Sequence, residues 1–180
     1  LGEIKAFDNF GLADTQSIPI HLPPLGRAEI DICRYFTGSS QIAYLKFVSD
    51  SGFIAGYTRF SQPGNRVGLH ATPGKQSGVF PKLEKDGGTG IAFVNTEDEP
   101  AEIKLIALDD NGTVVSDALL NVGPGAKVVG MAEEIFSENI AQASFIRFYS
   151  NRRVTGYELN ASSDGLMLDG LPGIAAYLDE

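Results

Sequence analysis

The feature that most constrains this chain is that it nearly repeats itself at a displacement of about one hundred residues. Ala6-Phe7-Asp8-Asn9-Phe10-Gly11 reads against Ala107-Leu108-Asp109-Asp110-Asn111-Gly112, and Arg27 to Phe36 reads against Lys127 to Phe136. Further on, Leu45 to Asp50 matches Ile146 to Asn151, Gly56-Tyr57 matches Gly156-Tyr157, and Pro73-Gly74 matches Pro172-Gly173. What recurs is a spacing of turn residues and apolar runs. The acid that keeps a matched position, Asp8 against Asp109, belongs to a turn, so the duplicated object reads as a scaffold.

A chain carrying 21 Gly and 9 Pro favours many turns over long helices. Candidate strands are Ile18 to His21, Arg27 to Ile32, Gln41 to Ser49, Phe53 to Phe60, Gly90 to Asn95, Ala101 to Leu108, Ala118 to Val122, Lys127 to Met131, Ala143 to Tyr149 and Val154 to Leu159. Their rhythm of roughly ten residues is that of a sandwich or barrel. Asn111-Gly112 between two apolar runs predicts a hairpin with a type I′ turn. Gln62-Pro63-Gly64-Asn65 and Ser162-Ser163-Asp164-Gly165 read as equivalent turns. Helix signals are confined to Met131 to Phe136 and its counterpart Ile32 to Phe36.

The fold expected is therefore all-β: two tandem, similar antiparallel β-sandwich units with short helical turns. The first unit covers 1–72, a flexible linker covers 73–89, and the second unit covers 90–172. The strand matching Gly90 to Asn95 would precede Leu1, which leaves the first unit short of a strand with an apolar edge. Ile174 to Leu178 is apolar enough to pair into a sheet, so residues 173–180 are expected to fill that vacancy, within the chain or in a neighbouring one.

A net charge of -9 and a pI near 4.7 disfavour nucleic acid, whose phosphates need clustered Lys and Arg. Cys33 is the single cysteine, which excludes an intrachain disulfide, a zinc cluster and a CxxC pair, and it reads as a small buried apolar residue. No stretch approaches the ~20 apolar residues of a membrane-spanning helix. The start at Leu1 fits a processed chain or an excised fragment.

The run Gly90 to Asn95, the acidic loop ending in Pro100, the strand to Leu108, the Asp-Asn-Gly turn, the strand into Gly123-Pro124-Gly125 and then Phe145 to Tyr157 resemble a β-sandwich module of secreted and surface-attached bacterial proteins. More distantly, they are similar to the sandwich of the sensory rhodopsin transducer family. The first resemblance implies a binding or structural module outside the cytoplasm. The second implies a soluble signalling adaptor that oligomerises and docks onto a partner. Neither brings a catalytic motif.

The residues themselves point away from catalysis. His21 and His70 show no HxH or HExxH spacing, no GxSxG occurs, and no Gly-rich run ends in the Lys-Ser/Thr of a phosphate loop. Glu133 and Glu134 are neighbours that cannot oppose one another across a substrate. Asp109-Asp110-Asn111-Gly112 offers oxygen atoms suited to calcium but lacks the later glutamate of an EF-hand loop, and Thr96 to Glu99 reads as a solvated charge run. No enzyme activity, cofactor or metal is expected. A binding surface remains: Tyr57 and Tyr157 each follow a glycine, Arg59 lies on the strand face of Tyr57, and Arg147 with Arg152 and Arg153 makes a basic patch, so tyrosine beside arginine could stack on a sugar ring or grip an anion. Alternatively, Tyr57 and Tyr157 are repeated core residues. The expected function is non-enzymatic adhesion, or carbohydrate or protein binding, or structural spacing, in a bacterial envelope or secreted protein.

Overall fold

The computed structural model describes residues 1–36, 41–50, 54–62, 65–137 and 139–175. Strands account for 55% and helix for 6%, with antiparallel pairing throughout, so the all-β expectation holds. Strands β1 (Gly2–Phe7), β2 (Ala13–Ile20) and β3 (Tyr44–Ser49) form a sheet in the order β2-β1-β3. A 3-10 turn, Ile32–Arg34, lies between β2 and β3, with the Asp31 carboxylate accepting from the Cys33 N–H. Phe36 just beyond it is buried with Ala6, Ile18 and Ile20. Strands β4 (Tyr57–Gln62) and β5 (Asn65–His70) form a separate hairpin.

The remaining strands make a larger, sandwich-like body. They are β6 (Lys75–Phe80), β7 (Gly87–Asn95), β8 (Ala101–Leu108), β9 (Val114–Val122), β10 (Lys127–Met131), β11 (Phe145–Ser162) and β12 (Leu168–Pro172). Helix α1 (Ala132–Phe136) follows β10 and buries Ala132 and Phe136. Strand β11 is 18 residues long and serves both layers. Its first half pairs with β6 and β8, and its second half pairs with β7 and β12. The handover is an irregularity between Tyr149 and Val154 on the β6 side. Ile146, Phe148, Val154 and Gly156 all point inward, so one strand lines the core of both layers.

That core is built around Phe80, Phe93 and Phe148, with ring centroids 5.1 to 5.6 Å apart. Ile91, Ile103, Leu105 and Ile146 close around them, each at 1% exposure or less. Glycine is required where the rings press on the backbone. A Cβ on Gly156 would lie 2.7 Å from Phe93 Cε1, and one on Gly78 would lie 2.6 Å from Phe148 Cε1.

Several expectations are corrected. The stretch 73–89 is no linker, because it holds β6 and the start of β7, both hydrogen-bonded to β11. Arg27 to Ile32 is not a strand. Its counterpart β10 pairs with β7, and no strand among the described residues stands in that place for Arg27 to Ile30. Ile54 to Gly56 are also outside any strand, and Phe53, Pro63 and Gly64 lie outside the described residues. Cys33 is exposed, since its short helix faces solvent. Ile174 does not reach the first sheet. It exchanges two hydrogen bonds with Val79 of β6, at 2.8 and 2.9 Å, and residues 176–180 lie outside the described residues.

The turn at Asp109 also differs from expectation. Among the described non-glycine residues only Leu25 and Ser137 have positive φ, so Asn111 is not in the left-handed region that a type I′ turn demands. Gly112 alone takes it, at φ 79°, and the ladder shifts register between Ala107 and Leu108. The Asp109 carboxylate accepts from the N–H groups of Asn111 and Thr113. These bonds hold its pKa below the usual value, the Thr113 N–H contributing most. The β1–β2 turn has the same chemistry: Asp8 accepts from Phe10 and Leu12, Gly11 sits at φ 84°, and the register shifts between Lys5 and Phe7.

Contacts tie the β1-β2-β3 sheet to the larger body. The Lys127 N–H donates to Asn9 O at 2.9 Å, the Tyr44 hydroxyl to Gly125 O at 2.7 Å, and the Lys127 ammonium to Ala43 O at 2.7 Å. Desolvation lowers the Lys127 pKa. Tyr44, stacked on Phe7 at 4.8 Å, has its pKa raised by desolvation and then by Asp8.

Candidate functional site

Two places in the fold concentrate polar chemistry. The first is inside the larger body. Directly paired residues on antiparallel strands share a face, so Thr89, Asn160 and Asp169 form one row across β7, β11 and β12, and Ile91, Glu158 and Leu171 form the next. Glu158 and Asn160 have no solvent exposure. The Thr89 hydroxyl donates to Asn160 Oδ1 at 2.6 Å and accepts from the Glu84 N–H at 2.8 Å. Among the described residues, neither Glu158 oxygen and no Asn160 Nδ2 hydrogen meets a partner in hydrogen-bond geometry.

A charged pair sits beside this cluster. Lys82 and Glu84, on the segment joining β6 to β7, form an ion pair of 2.8 Å. Glu84 lifts the pKa of Lys82, and Lys82 in turn lowers that of Glu84. For Glu158 burial dominates and pushes the pKa to about 8. The Lys82 backbone and ammonium pull the other way without making a well-formed bond. The carboxyl is therefore mostly protonated at pH 7. Among the described residues no group of three or more His, Cys, Asp or Glu is placed to hold a metal.

The second place is the exposed face of the β4–β5 hairpin. Tyr57 is 58% exposed, with His70 directly opposite it and the two rings 6.2 Å apart. Arg59 approaches Glu29 at 3.8 Å, and Arg27 binds the same carboxylate at 2.9 Å. The Arg27 pKa is raised by Glu29 first and then by the Tyr57 phenol, which places the phenol beside the guanidinium. Tyr57 and Arg59 stand two residues apart on β4, and Arg27 and Glu29 approach them from a segment whose pattern predicts a strand.

The other expected residues fall elsewhere. Tyr157 is half-buried on the outer face of β11, and its hydroxyl donates to the carbonyl of His70, so it joins β11 to the hairpin. Tyr57 is exposed, so the two matched tyrosines are not a repeated core pair. Arg147 stands on the first half of β11 between Val79 and Ile106, in a different sheet from Tyr57 and Arg59. Arg152 pairs with Glu99.

Nothing in the sequence singles out Glu158. In Val154-Thr155-Gly156-Tyr157-Glu158-Leu159-Asn160 the bulky apolar side chains suggest that Tyr157 and Leu159 face inward. The opposite register is adopted because Val154 and Gly156 meet the phenylalanine core, which carries Glu158 inside and leaves Leu159 37% exposed. Among the described residues no helix is long and apolar enough to cross a membrane.

No protein-family model and no curated protein sequence matches this chain. Among solved structures it is similar to the crystal structure of Thermotoga maritima 1070, with a TM-score of 0.46 and 18% identity over 56% of this chain and 93% of that one.

Proposed function

We propose that this chain is a non-enzymatic binding module of a bacterial envelope or secreted protein, built as two tandem β-sandwich units of which the second is complete. The repeated Asp-Gly turns, with matching carboxylate bonds, glycine conformations and register shifts, support descent of both units from one scaffold. The observation that carries the binding role is the exposed Tyr57 ring beside the guanidinium groups of Arg27 and Arg59. An aromatic face with planar, charged donors around it suits a sugar ring or the carboxylate of an acidic sugar or peptide. A glycan array with the purified chain tests this: specific binding that is lost in Tyr57→Ala and Arg59→Ala supports the reading. An array with no hits, or hits indifferent to both substitutions, sinks it.

The second reading, a signalling adaptor that oligomerises and docks, is favoured by the outer edge of β3, along which no strand among the described residues pairs. Fractionation of the producing cells separates the two, since the envelope reading requires the protein outside the cytoplasm and the adaptor reading requires it within.

A further inference from the structure

The basic surface around Tyr57 extends further over the hairpin. Directly paired strand residues share a face and faces alternate along each strand, so Tyr57, Arg59, Arg66, Gly68 and His70 all stand on one side of the β4–β5 hairpin. The other side carries Val67 and Leu69, which press on β12: a Cβ on Gly170 would lie 2.3 Å from Leu69 Cδ2 and 2.9 Å from Val67 Cγ2. The Tyr157 hydroxyl holds the His70 carbonyl as well. With its back packed, the outer face is a fixed platform.

Charge singles this platform out. In a chain of net charge -9 it lays out the guanidinium groups of Arg27, Arg59 and Arg66, and the ion pairs of the described residues give them one carboxylate, that of Glu29, which Arg27 and Arg59 share. The three arginines are not equivalent. Arg27 is fixed 2.9 Å from Glu29 and beside the Tyr57 phenol, whereas Arg59 stands 3.8 Å from the same carboxylate and Arg66 enters no ion pair among the described residues. Arg59 and Arg66 are thus the two that can turn toward a ligand. Strands rise about 3.4 Å per residue, so Arg59 lies about 7 Å along the hairpin from the Tyr57 row and Arg66 about one such step beyond it on the neighbouring strand. Between them a Cβ on Gly68 would meet only Tyr57 Cδ2, at 3.7 Å, so the glycine leaves the flank of the ring open.

We infer that this platform takes an acidic polysaccharide: one sugar ring lies on the Tyr57 face over Gly68, and carboxylates borne on this sugar and its neighbours are gripped by Arg59 and Arg66. A tyrosine presents a flat apolar body to the ring, and an arginine fork meets a carboxylate with two parallel bonds. A charge on each sugar matches a row of cations that a neutral glycan would leave unused. An acidic peptide brings no flat ring for Tyr57 and loses more side-chain freedom on binding. This ligand assignment rests on the reading of Tyr57 as part of a binding surface.

Isothermal titration calorimetry of the 180-residue chain with hexagalacturonate, cellohexaose and hexaglutamate tests it. Hexagalacturonate is expected to bind at least about tenfold more tightly than either of the others, and to weaken as salt is raised. Arg66→Gln and Arg59→Gln should each weaken it on the order of tenfold, the loss of one charge-assisted contact, with circular dichroism confirming that the variants are folded. Hexaglutamate bound as tightly as hexagalacturonate overturns the assignment, because the surface then reads charge alone. So does hexagalacturonate binding indifferent to both arginine substitutions. Cellohexaose bound as well as hexagalacturonate, and lost in Tyr57→Ala, overturns the acidic ligand and leaves the binding module standing, whereas binding of none of the three removes both.

Discussion

Glu158 ionises at about pH 8 in the folded chain, against an ordinary value of 4.5, because burial disfavours its charged form. Between those two pH values the folded state holds a proton that the unfolded state has released, so stability falls as pH rises through the window and levels off above 8. Carboxylates with lowered pKa, such as Glu84 and Asp164, act in the acid range instead and leave this window clear. Thermal unfolding of the wild-type chain should therefore show stability weakening from pH 5 to pH 8. Glu158→Gln keeps the shape without the charge, and should flatten that slope and raise stability at pH 8 by on the order of a few kcal/mol. Parallel curves for the two proteins would show that the carboxyl is not the source. The position is illegible in the sequence because a polar residue between Tyr157 and Leu159 reads as solvent-facing. Only the packing of Gly156 against Phe93 reveals that the strand is turned over.

At the scale of elements, the turns are the most legible part of the sequence. Asp followed by a later Gly signals both hairpins, because a carboxylate that binds two N–H groups and a residue free to take positive φ are local properties. What surrounds each turn is not local, and it separates two otherwise equal glycines. Gly112 has open space where a Cβ would go, whereas a Cβ on Gly11 would lie 2.6 Å from the backbone carbon of Gly125. Gly112→Ala should cost about 1 kcal/mol for backbone strain alone. Gly11→Ala should cost at least about twice that, because it also pushes the β1–β2 turn off the Gly125 turn. Denaturant titrations of the pair check this, and equal losses would refute the docking contribution. Strands needing a distant partner are the least legible. Arg27 to Ile30 carries the same pattern as β10 and remains irregular, since pattern provides an apolar face but not the neighbouring strand.

At the scale of the whole molecule, the β1-β2-β3 sheet has a modest core of Ala6, Ile18, Ile20 and Phe36, and it leans on the larger body. Two of the bonds that hold it there come from side chains, those of Tyr44 and Lys127. Tyr44→Phe combined with Lys127→Met should release the small sheet by about 1 to 3 kcal/mol. Hydrogen exchange should then quicken in β1 to β3 while β7, β8 and β11 keep their protection. Uniform acceleration in all strands would mean that the two parts open as one.

Strand β11 has a further consequence for how the protein comes into being. Strands β7 and β8 are consecutive in the chain but do not pair with each other, because β11 lies between them and bonds to both. On the ribosome the β8–β9 hairpin can close as soon as it emerges, but β6 and the edge of β7 that does not pair with β10 must wait for residues 145–162. During that interval Phe80 and Phe93 have no Phe148 to pack against, and the nascent chain carries core aromatic rings without their partner. Production of the protein is therefore most vulnerable to aggregation in the stretch of synthesis just before β11 is released, and chaperone dependence should concentrate there.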